Sequence, residues 1–189
     1  ISNFDKVPNL AHHPKMNHLH SRTEFGQQRN RGLLILAFDH RNLFEESCLT
    51  KNLPREKIFR FKELVHQGLH SVSQTIKENN LAILIDPKYG KKILNDSSDF
   101  NYTVGVPVED EGVFPLKWLH EGSLYQYLLE RPSTWFLKVH FRFHTDMNQD
   151  DKKYQLTHLR RLSGVCSELK RKLMVELVIP GGFSKKDAS

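Results

Sequence analysis

The sequence has little cysteine, since Cys48 and Cys166 are the only two among 189 residues. Two cysteines without C-x-x-C spacing do not make a disulfide scaffold, so we expect a reducing compartment. Long apolar runs are also missing, because the longest, residues 33–38, is far shorter than the ~20 residues that span a bilayer. The sequence has no signal-peptide pattern and no glycine-rich phosphate loop. These absences predict a cytoplasmic protein with no membrane partner and no dinucleotide or P-loop chemistry.

Acidic residues are the minority, with 22 against 28 basic residues, and the formal net charge is +6. The basic excess lies near the two ends of the chain, for example at Lys170, Arg171 and Lys172. Aromatic residues do not alternate with these basic residues, and no nucleic-acid-reading motif accompanies them. We therefore predict a solvated basic face and no nucleic-acid partner.

The first 31 residues hold four of the eleven histidines and show no sustained period of 2 or 3.6. These histidines are His12, His13, His18 and His20. Their spacing suits a metal, but no cysteine or acidic companion stands at a fixed offset. We predict an N-terminal arm over residues 1–31, and no metal site.

From residue 32 onward, short apolar runs alternate with longer amphipathic stretches. The five runs lie at residues 33–39, 81–86, 102–108, 135–143 and 173–179. This alternation is typical of parallel strands covered by helices. The sequence therefore predicts an α/β fold and a single domain over residues 32–189.

Three stretches between these runs predict helices. Residues 61–76 carry an apolar stripe that we expect to pack on the sheet. The stripe consists of Phe61, Leu64, Val65, Gly68, Leu69, Val72 and Ile76. A second helix is predicted over about residues 149–172, with a basic last turn that suits the helix dipole. A short third helix is predicted over residues 124–129.

Polar side chains follow the first three predicted strands, at Asp39, Asp86 and Glu109. In a barrel of parallel strands, functional groups gather at the carboxyl ends of the strands. His40 and Tyr89 are loop candidates beside these ends. An alternative is that Asp39 and Asp86 only cap a following helix or turn.

Alternation in the fourth run separates an ionisable face from an apolar one. The ionisable face carries Lys138, His140, Arg142 and His144. An inward-pointing Lys138 needs a partner charge or a lowered pKa. Glu176, on the inner face of the fifth run, is the matching acid. The two residues are either part of an active site or a structural ion pair.

Several short motifs occur in a familiar order. They are Leu36-Ala37-Phe38-Asp39-His40-Arg41, Asp86-Pro87-Lys88-Tyr89-Gly90, Gly105-x-Pro107-Val108-Glu109, Lys138 in its strand, and Val175-Glu176-x-x-Ile179-Pro180. The set resembles the aldolase-like domain that bacteria fuse behind 5-dehydro-2-deoxygluconokinase of myo-inositol breakdown. That domain is in turn similar to class I tagatose-bisphosphate aldolases. The resemblance covers residue 3 to about residue 180.

The resemblance implies a (β/α)₈ TIM barrel, of which this chain covers about the first five β/α units and is incomplete at the C-terminus. The implied reaction cleaves 5-dehydro-2-deoxygluconate 6-phosphate into dihydroxyacetone phosphate and malonate semialdehyde. A lysine Schiff base carries it, without a metal or other cofactor. By position, Asp39 and Glu176 match the acid/base carboxylates, and Lys138 matches an accessory lysine. The substrate-binding candidates are His40, Arg41, Asp86, Tyr89, Glu109 and His144.

The chain departs from the family pattern at several places. The Schiff-base lysine of the relatives lies on a later strand, so we expect it beyond residue 189. In the matching family segments we expect Arg at Val106, apolar residues at His140 and Arg142, and Pro at Thr145.

Two hypotheses remain for the function. One is an aldolase acting on a phosphorylated keto sugar acid, and the other is a non-catalytic barrel module or remnant that binds a phosphosugar or supports a sugar kinase. We expect the chain alone to be inactive. We also expect it to associate with itself through an open sheet edge.

Overall fold

The computed structural model describes residues 32–76, 80–120 and 122–179, so the predicted arm at residues 1–31 lies outside the described residues. Five strands are present: β1 (Leu34–Phe38), β2 (Leu81–Ile85), β3 (Thr103–Pro107), β4 (Phe136–Arg142) and β5 (Leu173–Val178). Five α-helices lie between them: α1 (Asn42–Thr50), α2 (Glu56–Thr75), α3 (Lys91–Asn95), α4 (Leu124–Leu129) and α5 (Gln149–Glu168). All five predicted strands are confirmed. Within the described ranges, no helix is long and apolar enough to cross a membrane.

All five strands are parallel and pair in sequence order, β1-β2-β3-β4-β5. The sheet curls like part of a barrel, so the fold is α/β as predicted. The three inner strands β2, β3 and β4 are mostly buried, whereas every residue of the edge strands β1 and β5 is exposed or half-buried. All five residues of β2 are buried, since this strand has a neighbour on each side.

The outer face of the sheet packs on the helices and makes the main core. Alternate residues of the inner strands point there, among them Ile83, Val104, Leu137 and Val139, and they meet Leu162 of α5. The residues between them point to the inner, concave face. The alternation predicted for β4 is therefore confirmed on its apolar side.

The apolar stripe predicted for α2 is only partly buried, so this prediction needs correction. Ile58, Lys62 and Ser73 are the buried residues of the helix. Five of the seven members of the predicted stripe are exposed: Phe61, Leu64, Gly68, Val72 and Ile76. The helix lies beside the edge strand β1 and α1, where Phe61 contacts the rings of Phe38 and Phe44 while staying half exposed.

Two differences concern helix ends. The predicted basic last turn of α5 is wrong, because the helix ends at Glu168. Arg171 instead lies in the link to β5, where its buried guanidinium donates to the carbonyls of Leu128, Arg131 and Pro132. Helix α1, which was not predicted, begins where Glu111 accepts the backbone N–H groups of Arg41 and Asn42, at 2.7 and 2.9 Å.

We expect Gly105→Ala to destabilise the fold by about 1–3 kcal/mol, because a Cβ there would overlap the ring of buried Phe136. The matched control is Gly68→Ala, which has open space around it on α2 and should stabilise the helix by about 0.5–1 kcal/mol. Urea unfolding measures both changes. Equal stability of Gly105→Ala and the unmodified chain would contradict the close packing of β3 on β4.

Candidate active site

A cleft of about 610 Å³ opens on the concave face of the sheet, toward the carboxyl ends of the strands. Strand ends from both sides of the sheet contribute to it, including Asp39 after β1, Glu109 after β3, Lys138 on β4 and Glu176 on β5. Parallel strands bring these residues together although up to 137 positions separate them in the chain, from 39 to 176. The predicted convergence at one rim therefore holds for these four side chains.

The ammonium of Lys138 is the centre of the cleft. Its Nζ lies 3.0 Å from Oδ2 of Asp39, 3.4 Å from Oε1 of Glu109 and 2.8 Å from Oε2 of Glu176. Lys138, Asp39 and Glu109 are buried, whereas the side chain of Glu176 is half exposed. One cation thus joins carboxylates from three other elements of the sheet.

These contacts fix the protonation state of Lys138. Burial by itself lowers the pKa of the amine, but the carboxylates of Glu109 and Asp39 outweigh it, and the pKa is raised. The hydrogen bond from Lys138 lowers the pKa of Glu176. Burial has the opposite effect on Glu109, whose pKa is raised. At neutral pH, Lys138 is therefore a cation and not an amine nucleophile.

Two buried polar atoms at the cleft have no hydrogen-bond partner among the described residues: Oε2 of Glu109 and Nε2 of His140. Both residues line the cleft. Burial, followed by the charge of Lys138, lowers the pKa of His140, so its ring is neutral at pH 7. Native proteins rarely leave such atoms unsatisfied. A bound ligand or a water in the cleft can supply their hydrogen bonds.

Arg41 and His40 are also at the cleft, as predicted. The guanidinium of buried Arg41 is engaged, since its Nε lies 3.3 Å from Oε2 of Glu111 and its NH2 donates to the carbonyl of Glu109 at 3.0 Å. Arg41 thereby joins the start of α1 to the end of β3. His40 is exposed at the rim.

Asp86 and Tyr89 are not among the residues that line the cleft, so a substrate contact for them stays a prediction. Asp86 has no exposed surface, and it pairs with the equally buried Lys62 at 2.5 Å. It also accepts the N–H of Tyr89 at 2.8 Å, which makes it a turn-forming residue, as the alternative interpretation held. The Tyr89 hydroxyl donates to Glu45 at 2.7 Å, and burial raises the pKa of this tyrosine to about 12.

His144 is not a lining residue of the cleft either. It lies two residues after Arg142, the last residue of β4, and its Nδ1 accepts the backbone N–H of Asp146 at 3.1 Å. The alternation that placed His144 beside Arg142 stops at Arg142, because the chain turns there toward α5.

The sequence analysis missed Lys62 and Glu111. Lys62 donates to the carbonyls of Phe38 and His40, at 2.7 and 3.0 Å, and so fixes the backbone on both sides of Asp39. Burial lowers its pKa despite the carboxylate of Asp86. Lys62 lies one turn after Ile58 on α2, and residues four apart share a helix face. This spacing was the signal that could have predicted a buried Lys62.

The carboxylates and Lys138 form an arrangement of hydrogen-bond donors and acceptors that can exchange protons with a polar ligand in the cleft. Ionised Glu176 can accept a proton, and the Lys138 ammonium can stabilise a developing negative charge. Within the parts of the chain that the structure describes, no group of three or more His, Cys, Asp or Glu side chains is arranged to hold a metal ion.

We expect Lys138→Met to cost about 3–5 kcal/mol of stability at pH 7, because it leaves buried carboxylates without their cation. The pKa of Glu176 is lowered in the fold, so this group stabilises the fold above its ordinary pKa of 4.5 and ceases to do so as the pH falls. The decrease in the free energy of unfolding that Lys138→Met causes should therefore become smaller toward pH 4. Urea unfolding at the two pH values measures it.

The control is Lys88→Met, which removes a half-exposed partner of Glu45 outside the cleft and should cost at most about 1 kcal/mol. If Lys138→Met costs no more than this control at pH 7, the carboxylates do not depend on Lys138. A loss of stability in Lys138→Met that stays constant from pH 7 to pH 4 would contradict the ion pairs as its cause.

Comparison with curated proteins finds no match to the chain. The model of one protein family, in contrast, matches the chain over residues 1–189. The chain therefore belongs to the family described as "Uncharacterized protein conserved in bacteria (DUF2090)".

Proposed function

We propose that the chain is part of a TIM-barrel domain that cleaves a carbon–carbon bond in a phosphorylated keto sugar acid. The proposed substrate is 5-dehydro-2-deoxygluconate 6-phosphate, and the proposed products are dihydroxyacetone phosphate and malonate semialdehyde. The observation that carries the proposal is the buried Lys138 ammonium in contact with Asp39, Glu109 and Glu176 at the mouth of a cleft. The five parallel strands are compatible with the first five units of a (β/α)₈ barrel.

The proposed reaction needs a base, an electron acceptor and a stabilising cation. The substrate is a β-hydroxy ketone, with the hydroxyl on C3 and the ketone on C5. Glu176 takes the proton of the C3 hydroxyl, the bond between C3 and C4 breaks, and its electrons move toward the C5 centre. Malonate semialdehyde leaves, C4 takes the proton back from Glu176, and water then releases dihydroxyacetone phosphate from the Schiff-base lysine. Lys138 stabilises the negative charge that develops, because it stays protonated.

The Schiff-base lysine of this proposal is not Lys138. A Schiff base forms from a neutral amine, and the carboxylates around Lys138 keep it charged. Lys62 has a lowered pKa, but it is fully buried against Asp86 and two carbonyls, away from the cleft. The proposal therefore assigns the Schiff base to a lysine outside the described residues, as the family resemblance implies.

The second candidate function is a non-catalytic module that binds a phosphosugar or supports a sugar kinase. One observation favours it: among the described lysines at the cleft, none offers a neutral amine. Exposed apolar side chains on the two edge strands, such as Leu34, Val175 and Leu177, give either candidate a surface for self-association.

Borohydride trapping separates the two candidates. We expect the natural protein that contains this chain, incubated with 5-dehydro-2-deoxygluconate 6-phosphate and sodium borohydride, to gain a covalent adduct on one lysine other than Lys62 and Lys138. Peptide mass spectrometry locates the adduct. Binding of the phosphosugar without any adduct would contradict the aldolase and leave the binding module.

Turnover by the same protein tests the roles of the carboxylates. We expect Glu176→Gln to lower kcat by roughly 10²–10⁴-fold, as loss of a general base does, with a small effect on KM. Glu63→Gln is the matched control, because Glu63 pairs with Lys92 on the exposed surface. Equal kcat values for the two variants would remove Glu176 from the reaction.

A further inference from the structure

The concave side of β4 presents three ionisable residues in a row, Lys138, His140 and Arg142, and all three line the cleft. A strand advances ~3.3 Å per residue, so each lies ~7 Å beyond the one before it. The ammonium of Lys138 is paired with three carboxylates. His140 and Arg142 have no such carboxylate partners among the described residues. They lie at positions where the aldolase-like domain that the sequence resembles is expected to have apolar residues.

Arg142 is a cation whose guanidinium has no charged partner among the described residues. The other two strong cations of the cleft, Lys138 and Arg41, are held by carboxylates. The guanidinium of half-buried Arg142 has neither an ion pair nor a hydrogen bond within the described part of the chain. A guanidinium in this situation binds a carboxylate or a phosphate through paired hydrogen bonds.

The strand end that carries Arg142 is held in place. Gln155 of α5 is buried, and its amide Nε2 donates to the carbonyl of Arg142 at 2.9 Å. Its amide Oε1 accepts the N–H of Leu116 at 3.1 Å. Because Gln155 binds backbone groups on both sides, the backbone of Arg142 is held in place at the edge of the cleft.

A hydroxyl-sized space adjoins Arg142. Glu109, His140, Arg142 and Gln155 border a cavity of about 10 Å³, which is roughly the room that one oxygen atom needs. Oε2 of Glu109 and Nε2 of His140, from two residues that line this cavity, are buried and have no hydrogen-bond partner among the described residues. A hydroxyl both donates and accepts, so it can donate to the carboxylate and bond the imidazole nitrogen at once.

We propose that Glu109, His140 and Arg142 form a subsite for a hydroxy acid, which binds the hydroxyl at Glu109 and His140 and the neighbouring anionic group at Arg142. The inference rests on the proposed function only in assigning this ligand to the substrate, because binding is measurable without turnover. The ligand chemistry is a hydroxyl next to a carboxylate or a phosphate. A keto sugar acid with a phosphate carries both kinds of anion.

Isothermal titration of the chain with three small probes tests the subsite. They are 3-hydroxypropanoate, propanoate and sn-glycerol 3-phosphate. We expect 3-hydroxypropanoate to bind more tightly than propanoate, because propanoate leaves the hydroxyl position empty. Tighter binding of the glycerol phosphate than of 3-hydroxypropanoate assigns the phosphate to Arg142, and the reverse order assigns the carboxylate.

Variants identify the residues. We expect Arg142→Gln to weaken binding of the preferred probe roughly tenfold to a hundredfold, whereas Arg142→Lys retains part of the affinity. Arg160→Gln removes the same charge from the exposed face of α5 and should leave binding unchanged. His140→Phe should abolish the preference for the hydroxylated probe. An unfolding midpoint for each variant shows whether it is folded.

The subsite is overturned if no probe binds the unmodified chain, or if folded Arg142→Gln binds as Arg160→Gln does. It is also overturned if 3-hydroxypropanoate and propanoate bind equally. Binding that depends on Arg142, in a protein that gives no borohydride adduct, supports the subsite and contradicts the aldolase. The two proposals therefore fail by different measurements.

Discussion

The structure depends on a single buried cation that keeps several carboxylates together. Asp39 and Glu109 are almost without solvent, and their charges would repel each other if Lys138 were absent. Buried charges cost several kcal/mol each in lost hydration, and this cost is offset only by close, well-oriented partners. The ammonium of Lys138 provides that partner for β1, β3 and β5 at once. The contacts that hold these strand ends together therefore also place the ionisable groups of the cleft next to one another.

Two buried lysines of the same fold differ in pKa because their surroundings differ. Lys138 has three carboxylates, and its pKa is raised. Lys62 has one carboxylate and two neutral carbonyls, so burial prevails and its pKa is lowered. Lys62 also holds the residues on both sides of Asp39. Lys62 therefore positions Asp39, which is a partner of Lys138, although Lys62 does not reach the cleft.

The local sequence pattern was enough to predict the strands and the residues at the centre of the site. It was not enough to predict contacts between segments that are distant in the chain. Apolar runs placed both ends of all five strands to within one residue, and alternation turned Lys138 and Glu176 toward the same face. Helix α1 was missed because its N-terminal cap, Glu111, comes from a loop 69 residues further along the chain. The partner of Asp86 was missed because Lys62 lies on a helix whose pattern resembles an ordinary amphipathic one. Such partners are decided by tertiary packing, which spacing alone does not encode.

The central claim is that Lys138 is held as an ammonium by its carboxylates, and NMR of its side-chain nitrogen tests this most directly. The account predicts that the Lys138 signal, assigned by comparison with Lys138→Met, shows no deprotonation at pH 10.5, where an ordinary lysine is half deprotonated. The buried Lys62 serves as an internal comparison and should titrate below that value. A Lys138 signal that titrates at or below pH 10.5 in the folded protein would contradict the account.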